Sequence, residues 1–541
     1  MDIRHIKTVC AVSILLVVLF TTGCGKPAKT GKEPNEPVAK IDLGATIGSL
    51  AEVFSFESIP VEGYGLVGGL SGTGSSECPA QIREYLKQYI LQQLAGEKVN
   101  ADELINSLDT AVVVVQGIMP TAVAKNQYFD VKVVAMPGTQ TTSLEGGWLY
   151  GAELKPVGGF GIAMKVLAAA KGPVFIDTLS PGETDKKSGY ILAGGTVLDE
   201  YRVNIGLRRP DYKIASLICS KLNGRFGSGT AKAVSPSQIE LNAPPEYKKQ
   251  RFVSIVKAMY LAETPEATRE RINTFVKNLA VSEDKYAAET ALEAIGNESL
   301  SKVAALLNSS QEQVRLGAAR CMLNLGSDEG LNALREIASD KDSASRIEAL
   351  DAITASGRRN DAVAISRKLL RDSDFNIRLA AYENLRKLED IAVTQKVIGR
   401  NFYLEQVAQA EQRGIFVSRS GQPRIVLFGA PIYCHDNIFI QSADGSITIN
   451  APAGQKYVSI IRKHPKRPNV IIQLKSSFEL CDIIQTLCEE PLKKTDEEHR
   501  GLNVSYAEAI ALLKQMSDKG AVDAEFRAGP LPKIDLIIKR K

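Results

Sequence analysis

Gly63-Tyr64-Gly65-Leu66-Val67-Gly68-Gly69-Leu70-Ser71-Gly72-Thr73-Gly74 is a stretch in which six of twelve residues are glycine. Glycine is needed where φ is positive or where another backbone approaches closely. This composition therefore predicts a shaped loop rather than a packed element.

The same stretch resembles two nucleotide-binding motifs without fitting either. Its first half spells G-x-G-x-x-G, which marks a dinucleotide site only between a strand and a helix. Here Pro60 interrupts the preceding residues, and more glycine follows. The spacing from Gly69 to Gly74 is that of a phosphate loop, but Ser75 stands where that motif requires lysine. We therefore predict no cofactor here, and a plain connecting turn is the alternative for the stretch alone.

Three later phrases occur with it and make the pattern more specific. They are Asp109-Thr110-Ala111-Val112-Val113-Val114-Val115 leading to Met119-Pro120, Phe129-Asp130-Val131-Lys132-Val133-Val134, and Ser143-Leu144-Glu145-Gly146-Gly147-Trp148-Leu149. Together with residues 63–74, and in this order, they resemble the flagellar P-ring protein family. The resemblance covers roughly residues 45–261 and, less tightly, 414–526.

The resemblance implies a structural, non-enzymatic role. Members of the family form a periplasmic ring around the flagellar rod, which acts as a bushing in the peptidoglycan layer. The implied partners are further copies of the chain, rod and L-ring components, and peptidoglycan as an additional candidate. No active-site residue is carried over, and the motif positions taken as the family's signature are Gly63, Tyr64, Gly65, Leu66, Gly68, Gly69, Gly72, Gly74, Ser143, Leu144, Gly146 and Gly147.

Length and composition agree with a multidomain structural protein. The 541 residues are too many for one core. A net charge of +4, from 66 basic and 62 acidic residues, gives no reason to expect nucleic acid as a partner. Four histidines make a His-rich metal site or His-based catalysis a weak expectation, and no catalytic motif is recognisable.

The N-terminus predicts export with a lipid anchor. Arg4 and Lys7 precede an apolar run over residues 9–20, and Thr21-Thr22-Gly23-Cys24 resembles a bacterial lipobox. We predict a signal peptide over 1–23, lipidation of Cys24, and a proline-rich tether over 24–44. Thr21 departs from the usual leucine-like residue, so plain secretion with a free Cys24 is the alternative. Gly25 favours the outer membrane weakly.

An α+β part with more strand than helix is predicted over 45–262. Pro79 opens a helix with Ile82, Leu86, Ile90 and Leu94 on one stripe. Residues 111–115 predict a buried strand and 129–135 a half-exposed one. A second helix is predicted over 214–222 and a strand over 252–256.

Helical repeats are predicted over 263–408. Arg315, Arg346 and Arg378 each stand second in similar phrases and are 31 and 32 residues apart, which resembles HEAT-type repeats. Such helices either offer a concave protein-binding surface or act as a brace. Because they interrupt the P-ring-like parts 45–262 and 409–541, we expect the chain to fold without residues 287–388.

The cysteines, the basic run over 462–467 and the alternative function do not receive a single interpretation from the sequence alone. Some of the six remaining cysteines could pair in an oxidising periplasm, and Cys434-His435 is a poor metal motif. The basic run over 462–467 predicts either a solvated hairpin tip or a contact for an anionic partner. The alternative function is a lipid-anchored adaptor that uses the same fold outside the flagellum.

Overall fold

The computed structural model describes residues 43–54, 58–93, 100–120, 125–157, 165–199, 203–245, 247–399, 402–464, 467–490 and 501–534. Within these ranges, no helix combines the length and apolarity that a bilayer crossing requires. The predicted signal peptide, Cys24 and most of the tether lie outside the described residues.

The first strand-rich part consists of α1 (Ile47–Leu50), β1 (Ala51–Phe54), β2 (Ser58–Gly68), α2 (Ala80–Gln93), α3 (Ala101–Ile105), β3 (Thr110–Pro120), β4 (Tyr128–Ala135), β5 (Trp148–Pro156), β6 (Ala168–Pro173), β7 (Ser188–Val197), β8 (Val203–Leu207), α4 (Tyr212–Phe226), β9 (Ala231–Ser235), β10 (Gln238–Leu241) and α5 (Lys249–Ala258). Six of the strands close a barrel in the order β2-β3-β4-β7-β6-β5. The other four form a sheet in the order β1-β8-β10-β9, against which α4 and α5 share one core.

A helical segment follows. It consists of α6 (Pro265–Val281), α7 (Lys285–Ile295), α8 (Leu300–Ala304), α9 (Glu312–Asn324), α10 (Glu329–Ser339), α11 (Arg346–Ser356), α12 (Arg359–Leu369) and α13 (Phe375–Lys387), with 3-10 turns at Asn297–Ser299 and Ala305–Asn308. Hydrogen bonds join equivalent positions of successive helix pairs: Asn324 donates to Glu293 at 3.1 Å, and Gln313 donates to Ser345 at 2.9 Å. These pairs are 31 and 32 residues apart, the interval of the sequence repeat, and the HEAT-type assignment stays a prediction.

The second strand-rich part consists of β11 (Thr394–Ile398), β12 (Phe402–Val407), β13 (Gly414–Val417), β14 (Arg424–Phe428), β15 (Ile438–Gln441), β16 (Ile447–Ala451), β17 (Val458–His464), β18 (Arg467–Ser476), α14 (Leu480–Cys488), α15 (Tyr506–Asp518) and β19 (Glu525–Ala528). One sheet runs β11-β12-β14-β13-β19 and the other β15-β16-β17-β18. Both share a core with α14 and α15.

The α+β class is therefore confirmed, with strand-rich parts on either side of a helical segment. The stripe of α2 is confirmed by buried Leu86 and Ile90. Strands β3 and β4 also have the predicted burial, since Ala111 and Val113 are buried and β4 alternates. Leu94 lies outside the described residues.

Two local predictions are wrong. Gly63 to Gly68 are not loop residues but the second half of strand β2, paired along its length with β3. The run 252–256 is helical, because it forms the buried face of α5 against the four-stranded sheet. A short apolar run has the same composition in a buried strand and a buried helix.

Candidate functional site

The glycines of β2 allow strand β5 to lie against it closely enough to close the barrel. A Cβ on Gly63 would lie 2.0 Å from the carbonyl oxygen of Glu153. A Cβ on Gly65 would lie 2.7 Å from Leu149 Cδ1 and 3.0 Å from the Gly151 carbonyl oxygen. These glycines are therefore explained by close approach of another chain segment, not by positive φ.

Beyond Gly68 the chain forms a true loop, which packs on the second motif loop. The Thr73 carbonyl accepts from the backbone N–H of Thr142 at 2.9 Å and of Ser143 at 3.4 Å. The Thr73 hydroxyl donates to the Ser143 carbonyl at 2.9 Å. The structure thus brings together residues 69–75 and 139–147, which we call the paired loops.

Four further motif glycines each meet a specific requirement of the paired loops. Gly69, Gly72 and Gly146 have φ of 85°, 87° and 72°, a region that side chains disfavour. A Cβ on Gly74 would lie 2.0 Å from the Thr110 carbonyl oxygen.

The other motif residues of the second loop pack at one end of the barrel or fix the turn there. Leu144 is fully buried in the barrel core. A Cβ on Gly147 would lie 2.5 Å from Val67 Cγ1. Ser143 Oγ accepts from the Glu145 N–H at 3.0 Å, which fixes the turn.

The rim of the paired loops is polar. Glu77 accepts from the Gln140 backbone N–H at 2.9 Å, and Lys186 pairs with Glu145 at 2.9 Å. A shallow open depression beside the rim is lined by Cys78, Arg83 and their neighbours. Burial raises the pKa of the Cys78 thiol, with a smaller opposing effect of Arg83, so this thiol is a poor nucleophile.

Three aromatic side chains, two of them exposed, lie beside the paired loops; Trp148 belongs to a family phrase, whereas the sequence did not single out the other two. Trp148 is 42% exposed and Tyr150 is 58% exposed on β5. The Tyr150 ring occupies the space that a side chain on Gly68 would need, and the Tyr89 hydroxyl does the same over Gly151. We call Trp148, Tyr150 and Tyr89 the aromatic patch. Its composition is typical of protein interfaces, in which tyrosine and tryptophan are enriched.

The repeat arginines are structural rather than exposed contact residues. Arg315 donates to the carbonyls of Ser309 and Ser310, and Arg378 donates to those of Asp372 and Ser373. Each thus satisfies carbonyls of the turn before its own helix.

Arg346, the middle repeat arginine, has a different partner. It is buried, and it pairs with Asp372 of the next repeat. Burial is the largest single effect and raises the pKa of Asp372, but the hydrogen bonds from Arg346 and from the Asp374 N–H, together with the nearby positive charges, outweigh it, so the pKa is lowered.

A buried ion-pair network joins the first strand-rich part to the helical segment, and sequence reasoning missed it. Arg251 of α5 pairs with Glu289 at 2.7 Å and with Glu293, both of which are almost fully buried on α7. Arg320 of α9 pairs with Glu289 at 2.6 Å. Burial raises the pKa of Glu293, partly offset by Arg251.

The described thiols and histidine form no chemical centre. Cys78, Cys219, Cys321, Cys434, Cys481 and Cys488 are all unpaired thiols. His435 Nε2 lies 3.0 Å from Asp523 at the surface. Within the described ranges, no group of His, Cys, Asp and Glu could hold a metal ion.

Comparison with known proteins places the barrel and the small sheet in one family. The sequence model of the family described as Flagellar P-ring protein matches residues 46–290. That stretch contains the paired loops and the aromatic patch, and it ends within α7. The weaker resemblance over 414–526 lies outside it and stays a prediction.

Individual relatives give the same result. The flagellar P-ring protein of Anaeromyxobacter dehalogenans (strain 2CP-C) is 31% identical over 243 residues, which are 42% of this chain and 62% of the relative. That of Helicobacter pylori (strain ATCC 700392 / 26695) is 24% identical over 250 residues, 44% of this chain and 69% of the relative. Of the Anaeromyxobacter relative, this chain spans 62%, which is less than two thirds. That of Campylobacter lari (strain RM2100) is 30% identical over 255 residues, 44% of this chain and 70% of the relative. On this identity and coverage, the chain belongs to the flagellar P-ring protein family.

Proposed function

We propose that the protein is a non-enzymatic structural subunit of a periplasmic ring around the flagellar rod. Family membership supports this function, and the observation that carries it is the construction of the family motif. Its glycines close a barrel and hold two loops together, which is a task of shape rather than chemistry. The aromatic patch beside these loops offers a surface for the neighbouring copy or for the rod.

We further propose that the helical segment presents a contact surface for another envelope component. Buried ion pairs hold it at both ends: Arg251 with Glu289 at the start, and Arg386 with the fully buried Glu405 at 2.8 Å at the end. Ile347 and Glu348 are exposed on α11 between these ends. A surface held in this way keeps its orientation relative to the ring.

The anchor proposal concerns Cys24. A lipid on this cysteine, followed by the proline-rich tether, would hold the folded part near a membrane, with the outer membrane weakly favoured. Peptidoglycan and the L-ring are proposed as the neighbouring components.

Electron microscopy of the purified mature chain with Cys24→Ser tests the ring proposal. We expect closed rings, alone or on added rods. In the matched variant Trp148→Ala/Tyr150→Ala, rings should be lost while the protein stays folded by circular dichroism. Tyr433 is 52% exposed and lies far along the chain, and the control variant Tyr433→Ala should still form rings. A folded protein that forms no ring even with rods would favour the adaptor function outside the flagellum.

A further inference from the structure

The four-stranded sheet of the second strand-rich part ends in an edge that no described strand covers. Within the described ranges, β18 pairs with β17 alone. The pairing shifts register near the hairpin tip and is regular from Ile471 to Ser476. Every second residue of such a strand directs its N–H and C=O away from the sheet, where they are open to another strand.

This edge is unusually apolar for one exposed to solvent. Ile471 is 62% exposed and Ile472 38%, and adjacent residues of a strand lie on opposite faces. Ile472 is paired with Arg462 and Ile471 with Lys463, near the end of the sheet. Exposed apolar edge strands are sites where another strand adds.

The segment that forms this edge and the strands beside it is rich in cations, of which Arg462 lies 3.8 Å from Glu508. Residues 445–478 contain Lys456, Arg462, Lys463, Lys466, Arg467 and Lys475, and no Asp or Glu. The segment thus carries +6, and together with the flanking Asp444 and Glu479 it carries +4, which equals the net charge of the whole chain. Cations are therefore concentrated in this stretch of the chain.

Charge also argues against a second copy of β18 as the occupant. Pairing of two such strands would bring together two copies of the same cation-rich segment. Like charges on neighbouring strands destabilise a strand pair. An acidic strand would instead meet these cations with the opposite charge.

We propose that β18 is a strand-addition site for an extended segment of another protein in which acidic and apolar residues alternate. The unpaired backbone groups bind the added strand, the two isoleucines contact its apolar residues, and the surrounding cations select its acidic ones. An anionic lipid or wall polymer would meet the cations but would leave the backbone edge unpaired.

Titration of the purified protein with a synthetic peptide of alternating Glu and Val tests the proposal. We expect saturable binding that weakens with salt, with amide shifts in NMR centred on residues 471–475. The same peptide, N-methylated at alternate residues, keeps its charge but cannot pair along one edge. We expect it to bind at least about tenfold more weakly. Equal binding of the N-methylated peptide, of polyglutamate or of phosphatidylglycerol vesicles would overturn strand addition in favour of a general anion surface. Absence of peptide binding would overturn the proposal outright.

Two variants locate the site on the sheet. Ile471→Lys should weaken peptide binding at least about tenfold, because a lysine cannot pack on the apolar residues of the added strand. Phe439→Lys is the matched control, since Phe439 is 60% exposed on β15 at the opposite edge of the same sheet, and binding should not change. Equal loss in both variants would overturn the assignment to β18. Thermal melts of both variants check that each is folded.

Discussion

Gly63 shows why a residue without a side chain decides how the barrel closes. The Glu153 carbonyl of β5 lies where its Cβ would be, and the obstructing atom is backbone, which cannot rotate away. We expect Gly63→Ala to lower the free energy of unfolding by about 1–3 kcal/mol or more, as overpacking does. Urea unfolding measures the change.

Gly224 provides the control for that substitution. It lies inside α4, and a Cβ there would meet no atom within 4 Å beyond the backbone of its own helix. Gly224→Ala should raise the free energy of unfolding by roughly 0.5–1 kcal/mol, because alanine is the better helix former. If Gly63→Ala were equally harmless, close approach of β5 would not explain the glycine.

Arg251 is the second residue whose role depends on its surroundings. Arg251→Met would leave Glu289 and Glu293 buried with one cation fewer. Removing one partner of a buried pair costs about 3–5 kcal/mol. We expect a loss of this size in urea unfolding at pH 7.

Arg358 forms the matched exposed pair. It pairs with Asp328 at the surface, where its side chain is 74% exposed. Arg358→Met should cost no more than about 1 kcal/mol. Similar losses for both variants would contradict the role assigned to burial.

At the scale of elements, the helical segment and the second strand-rich part share one core. Phe375 and Tyr382 of α13 pack on Phe428 of β14, with ring centroids 5.8 and 5.6 Å apart. Glu405 of β12 is fully buried and depends on Arg386 of α13. These contacts argue against the sequence-based expectation that the chain folds without residues 287–388.

We therefore expect deletion of residues 287–388 to yield insoluble or protease-sensitive protein. The deletion uncovers apolar side chains worth roughly 1.5–3 kcal/mol each and removes the partner of a buried carboxylate. Deletion of residues 328–358, one 31-residue repeat containing α10 and α11, keeps both ends of the segment. That variant should remain soluble with a lower Tm, since repeats stack on equivalent neighbours. A soluble, protease-resistant product of the longer deletion would show that the shared core is dispensable.

At the scale of the whole molecule, the barrel is joined to the second strand-rich part. The Asp130 carboxylate accepts from the Gly421 N–H at 2.9 Å and from the Ala193 N–H at 2.7 Å. Arg419 pairs with Asp177 at 3.1 Å. Residues nearly 300 positions apart thus meet, which ties the barrel orientation to the sheets.

Asp130 should make this junction sensitive to pH. Burial raises the pKa of its carboxyl, and the two backbone N–H groups only partly offset the rise. A carboxyl with a raised folded pKa stabilises most when protonated, so its contribution is full below the unfolded pKa and declines as pH rises through the folded pKa. We therefore expect the free energy of unfolding of the native protein, minus that of Asp130→Asn, to decrease as the pH rises from 4 to 7.

Urea unfolding of both proteins at the two pH values measures that difference. Asp130→Ala, which leaves two backbone donors without an acceptor, should cost about 1–3 kcal/mol at pH 7. If the free energy of unfolding of the native protein, minus that of Asp130→Asn, instead increases from pH 4 to pH 7, the pKa of Asp130 is lowered in the folded state.

The amino-acid sequence by itself determined the features that depend on local pattern. The stripe of α2, the alternation of β4 and the 31- and 32-residue spacing of the repeats follow from periodicities of 3.6, 2 and the repeat length. The family phrases contain the glycines of the paired loops, and these glycines meet strict backbone requirements. The sequence alone therefore marked these loops as important.

Only the tertiary structure decided what depends on a distant partner. A glycine in the sequence does not show whether it serves positive φ or close approach, and only the antiparallel pairing of β5 with β2 shows that Gly63 and Gly65 serve close approach within a strand. The run 252–256 is helical because the four-stranded sheet buries that face of α5. Ion pairs such as Arg251 with Glu289, 38 residues apart, leave no local pattern, because the fold and not the spacing brings the charges together.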